Sequence, residues 1–154
     1  MKINKILVFL RVLIGTLFLV SGIEKLTQPY ENFLYIIQSY QFLNNSLLEK
    51  MAALSFPWVE LILGVFLFLG LWTKLSIIGL WLFTSSFIIV VGQAIIRQLP
   101  IDQCGCFGDL VHIPLHMTFV IDLTVWIILA ILFKFISATR ILSLDNYFLK
   151  KEES

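Results

Sequence analysis

Four apolar blocks constrain this chain more than anything else in it: Ile6–Leu26, Met51–Leu71, Leu75–Ile96 and Leu115–Ile136. A helix rises about 1.5 Å per residue, so each block approaches the ~30 Å of a bilayer's hydrocarbon core. With 59% hydrophobic and only 14% charged residues, the 154-residue chain is too apolar for an ordinary soluble domain. The expected fold is therefore all-α: an antiparallel four-transmembrane-helix bundle, one domain over residues 1–154 with a charged tail from 140 to 154. The formal net charge of +1, with no basic patch interleaved with aromatics, argues against nucleic acid as a partner.

Lys2 and Lys5 before the first block resemble the start of a signal peptide. Arg11 interrupts the apolar run, however, and no small-residue cleavage site follows, so a retained helix is expected. Four spans place both termini and the Trp72-Thr73-Lys74 turn on one side. That side collects Lys2, Lys5, Lys74, Lys134, Arg140, Lys150 and Lys151; the other has Lys25, Lys50 and Arg97. The imbalance favours cytoplasmic termini.

The connection from about Thr27 to Lys50 opens on Gln28-Pro29-Tyr30, a helix stop. Phe33, Ile36, Ile37 and Tyr40 then recur at helical spacing. This predicts a short amphipathic helix at the outer interface between helices 1 and 2, covering the bundle's end or walling in a site beneath it. Pro57 predicts a kink in a second helix that begins near Met51. Thr84, Ser85, Ser86, Gly92 and Gln93 in the third span are small or weakly polar, a composition that marks close helix packing; Gly64, Gly70 and Gly79 are further packing candidates.

Charged residues inside apolar spans are expensive unless they face the interior or one another. Arg11 lies above the cytoplasmic end of the first span, Glu60 near mid-depth in the second and Asp122 two turns below the outer end of the fourth. Lys25 closes the first span on the outer side. The bland expectation is pairing within the bundle, or snorkelling for Arg11 and Lys25. The functional one makes Glu60 and Gln93 part of a quinone pocket, and Asp122 an acceptor of protons released when thiols are oxidised.

Those thiols are Cys104 and Cys106, the only two cysteines, in Cys104-Gly105-Cys106-Phe107-Gly108 between the third and fourth spans. Cα atoms two residues apart lie about 5.5–7 Å from each other, which overlaps the range a disulfide tolerates. Such a bond is strained, and strain favours a labile oxidant over a structural staple. Three readings stay open on the residues alone: a redox pair, unreactive thiols, or a metal site of Cys104, Cys106, His112 and His116, whose ligand types suit zinc or another soft metal. A C-x-C pair is tighter than the usual zinc spacing, and Pro114 interrupts the His pair.

Arg11-x3-Gly15, Ser21-Gly22-x2-Lys25, Pro57-Trp58-x-Glu60-x3-Gly64, the Cys-Gly-Cys loop and Asp122, in this order, make the chain resemble the MauE branch of the DoxX-like membrane proteins over nearly its whole length. The resemblance implies a four-helix protein of the bacterial inner (plasma) membrane, associated with methylamine utilisation and disulfide formation. It further implies a periplasmic thioredoxin-like partner or disulfide-rich substrate. Cys104 and Cys106 become the redox pair, with Arg11, Lys25, Glu60 and Asp122 as polar residues of the bundle interior; DoxX relatives include a subunit of a thiosulfate:quinone oxidoreductase. His112 and His116 are not part of the family pattern. Four-helix enzymes that generate disulfides use C-x-x-C and a second pair; this chain has neither, so a relay needs a partner's dithiol.

Overall fold

The computed structural model describes residues 2–42, 45–99, 101 and 114–139. Cys104, Cys106, His112 and the charged tail lie outside the described residues. Within them the chain forms six helices: α1 (Lys2–Thr27), α2 (Tyr30–Ser39), α3 (Ser46–Leu69), α4 (Thr73–Ile96), α5 (Leu115–Lys134) and the short α6 (Ile136–Thr139). Four are long and apolar enough to cross a membrane, over Asn4–Thr27, Ser46–Leu69, Thr73–Ile96 and Leu115–Lys134. Their outward faces carry Phe9, Leu13, Ile62, Leu82, Ile89, Val120 and Ile127, all exposed. A surface so rich in large apolar side chains suits lipid, not water. The chain is an all-α membrane protein built as an antiparallel bundle.

The second span begins earlier than its hydropathy suggests. Asn45 caps α3, its side chain accepting from the Leu47 amide at 2.9 Å, so the helix starts at Ser46 and carries Glu49 and Lys50 in its first turns. It then runs on through Pro57 without interruption. At its far end Gly70 adopts φ 71, the left-handed conformation that closes a helix, and Trp72 follows at φ 44 to start α4. Gly70 is thus a cap and not a packing residue.

The closest helix approach lies between α1 and α3. A Cβ at Gly15 would come within 2.7 Å of the Phe68 backbone nitrogen, one at Gly22 within 2.8 Å of that of Leu61, and one at Gly64 within 2.8 Å of that of Leu19. Real Cβ atoms do not sit that close, so these three glycines let the two backbones touch. Thr84, Ser85 and Ser86 donate to carbonyls of their own helix at 2.8, 2.7 and 2.6 Å, which satisfies their protons within α4. Trp81 of α4 stacks on Trp126 of α5 at 5.2 Å, and Trp126 Nε1 donates to Ser85 Oγ at 2.9 Å.

Two apolar clusters fill the bundle. One joins α1, α3, α4 and α5 through Leu7, Ile14, Phe18, Leu67, Ile77, Leu80 and Leu129. The other lies at the opposite end, where Tyr40 packs with Val91, Ala94 and Leu115. The expected amphipathic helix is present as α2: Phe33 and Tyr40 are buried, while Tyr35 points away. Gln38 of α2 donates to Glu49 of α3 at 3.1 Å, and Arg97 beyond α4 donates to the Gln41 carbonyl at 3.4 Å. These contacts hold α2 across the end of the bundle.

Candidate functional site

Ser21 and Lys25 are four residues apart on α1 and so share one face. Gly22, between them, brings the α3 backbone in at Leu61, and the residue before Leu61 is Glu60. The sequence of α1 therefore sets a hydroxyl and an ammonium against a carboxylate. Lys25 Nζ lies 2.9 and 2.7 Å from the two Glu60 oxygens and 2.8 Å from Ser21 Oγ. Ser21 Oγ in turn donates to Glu60 Oε2 at 3.1 Å.

The Lys25 and Glu60 side chains are only 2% and 4% exposed. Lys25 thus turns inward and does not snorkel to the surface, where both Glu60 oxygens lie within hydrogen-bond reach of its ammonium. Phe33 of α2 covers the ammonium, with Nζ 5.4 Å from the ring centroid. Arg11 is likewise buried within the bundle instead of reaching the headgroups.

Glu60 faces a cavity of about 30 Å³ to which all four spans contribute: Ser21 from α1, Glu60 from α3, Thr84 and Phe87 from α4, and Asp122 from α5. That volume holds a water molecule. Asp122 Oδ2 is buried and has no hydrogen-bond partner among the described residues. Burial first, and the Asp122 carboxylate second, hold the Tyr40 phenol well above its ordinary range.

The structure thus gathers Lys25, Glu60 and Asp122 around one small polar space. Gln93 is elsewhere: it lies further along α4, does not line this cavity, and its Oε1 is buried without a partner among the described residues. Arg11 belongs to the other half of α1. His116, exposed at the start of α5, is the one described member of the Cys/His set. Among the described residues no three His, Cys, Asp or Glu side chains converge on a metal position.

Sequence reasoning missed Ser21 as a working partner, and missed Glu24 altogether. Glu24 is buried and accepts from Gln28 one turn on. The signal was available, since Ser21, Glu24, Lys25 and Gln28 recur at helical spacing on one face of α1.

The segment bearing Cys104 and Cys106 leaves the described structure after Ile101 and rejoins it at Pro114. Leu99 and Ile101 on one side and Leu115 on the other pack in the cluster around Tyr40. Both ends of the segment are therefore fixed at the end of the bundle that α2 covers and toward which Lys25 lies.

Fold and site together define a polytopic membrane protein with a buried Ser–Lys–Glu cluster and an adjoining carboxyl. The sequence matches the family model described as methylamine utilisation protein MauE over residues 3–136, and the chain belongs to that family. Neither a comparison with curated proteins nor one with solved structures gives a match.

Proposed function

We propose that this chain is a thiol–disulfide exchange protein of the bacterial inner membrane, with Cys104 and Cys106 as the reacting pair on the outer face and both termini cytoplasmic. The observation that carries the reading is the anchoring of the cysteine segment at both ends, through Leu99, Ile101 and Leu115, against Tyr40. The seven-to-three excess of basic residues on the terminal side supports the orientation, and an extracytoplasmic position is where such a bond persists.

The exchange follows ordinary thiol chemistry. A thiolate of a thioredoxin-like protein or a disulfide-rich folding substrate attacks one sulfur of the Cys104–Cys106 bond. That bond breaks, a mixed disulfide forms, and the other cysteine departs as a thiolate that takes up a proton. The partner's second thiolate then attacks the mixed disulfide. The partner leaves oxidised and the Cys pair reduced, two electrons having changed hands. When the pair is reoxidised its two protons must leave, and Asp122, a buried carboxyl whose Oδ2 has no hydrogen-bond partner among the described residues, is the candidate acceptor.

Single variants Cys104→Ser and Cys106→Ser test this in cells of the source type. One of them should accumulate a mixed disulfide with a partner, seen as a reduction-sensitive adduct by non-reducing electrophoresis and identified by mass spectrometry. If neither variant forms an adduct, and the double variant keeps full function in complementation, the thiol reading is wrong.

A further inference from the structure

Beside the polar cavity lies a second, larger one. It occupies about 150 Å³ between α2, α3 and α4 and is walled chiefly by Phe33, Ile36, Ile37, Tyr40, Phe56 and Phe87. Its rim carries Phe42 and Ser86, both exposed, so it opens on the flank of the bundle. Phe87 lines both cavities. With Phe56 and Phe83 it forms an aromatic triad whose ring centroids are 4.9–6.3 Å apart, and this triad is the partition between them.

An apolar chamber of this size stays dry and accepts one six-membered ring. Its aromatic walls favour a planar guest held by edge and offset contacts. A guest that enters from the flank of a membrane protein has to be soluble in the bilayer. A plain hydrocarbon, however, would leave the polar space behind Phe87 unused, where Asp122 Oδ2 has no partner among the described residues. A ring bearing oxygen fits both. A carboxylate accepts from a hydroxyl of the reduced ring, and a carboxyl donates to a carbonyl of the oxidised ring, so the hydrogen bond survives either state.

We propose that the two cavities form a single site for the ring headgroup of a membrane quinone or quinol, in which Phe87 turns aside to let a ring oxygen reach Asp122. This rests on the thiol reading for its role and names the electron acceptor. Oxidation of the Cys104/Cys106 dithiol breaks two S–H bonds and forms one S–S bond. The two electrons and two protons convert quinone to quinol. Ring binding sits under α2 and not at Gln93, with Tyr40 and Phe33 among the chamber walls.

The test is equilibrium binding of decylplastoquinone to the full chain in lipid nanodiscs, with decylbenzene as the ring lacking oxygens. Saturable binding of the quinone at one site is expected, with decylbenzene bound more weakly. Filling the chamber from two different helices, by Ala52→Phe and by Val90→Phe, should each weaken quinone binding, and Asp122→Asn should weaken it by about tenfold through the lost charged partner. Thiol exchange is measured on the same preparations. Absent quinone binding with exchange intact overturns the site alone, whereas lost exchange with binding intact counts against the cysteines alone. Equal affinity for decylbenzene, or unchanged binding in both filled variants, also overturns the site.

Discussion

Replacing Lys25 with Met isolates what the buried ion pair contributes. Methionine keeps most of the length and flexibility of the lysine stem, so packing against Phe33 changes little while the charge is lost. What remains is Glu60, 3% exposed, with the Ser21 hydroxyl still donating to it at 3.1 Å once the ammonium is gone. Removing one member of a buried pair costs about 3–5 kcal/mol, because the other is left charged and uncompensated. For a chain of this length each kcal/mol shifts the melting temperature by about 2–4 °C, so Lys25→Met should lower it by about 6–20 °C. The assay is thermal unfolding of purified protein in one detergent, followed by tryptophan fluorescence and by the monodisperse fraction on size exclusion. The double variant Lys25→Met/Glu60→Gln removes both charges and should recover most of the loss, giving a large coupling in the double-mutant cycle. A drop of under about 2 °C in the single variant, or additive effects in the double, would refute the reasoning.

Two further substitutions test how the cluster is assembled. Gly22→Ala places a Cβ against the Leu61 backbone and should destabilise by about 1–3 kcal/mol as the helices move apart. Because that movement also draws Glu60 from Lys25, its effect should be less than additive with Lys25→Met. Asn45→Ala removes the α3 cap and should cost about 0.5–2 kcal/mol in the same melting assay without altering Lys25–Glu60 coupling.

The spans were legible in the sequence because hydropathy alone determines which segments lie in lipid, and the amphipathic α2 was legible from Phe33, Ile36, Ile37 and Tyr40. The start of α3 was not: Glu49 and Lys50 resemble a loop until Asn45 is seen to cap the helix. The fate of Lys25 depended on a neighbour. Whether it reaches outward or inward is decided by α3 lying against α1, and that contact depends on Gly15, Gly22 and Gly64, which belong to separate segments of the chain. Composition pointed to α4 as a packed helix and to Gly64 as a packing residue; in α4, Thr84, Ser85 and Ser86 bond their own backbone, and Ser85 also accepts from Trp126 of α5. Gln93 looked equivalent to Glu60 as a polar residue inside a span, but its position along α4 removes it from the cavity. Nothing local in the sequence could place the Phe56–Phe83–Phe87 partition, since its rings come from two helices and the cavities it divides exist only in the packed bundle.

The central claim is that Cys104 and Cys106 form a redox-active pair on the outer face, and labelling of intact cells with a membrane-impermeant maleimide tests it most directly. Labelling that appears only after mild reduction is the expected result, and it should vanish in the Cys104→Ser/Cys106→Ser variant. Labelling of both thiols before reduction would contradict a resting disulfide. Labelling only after lysis would contradict the outward position.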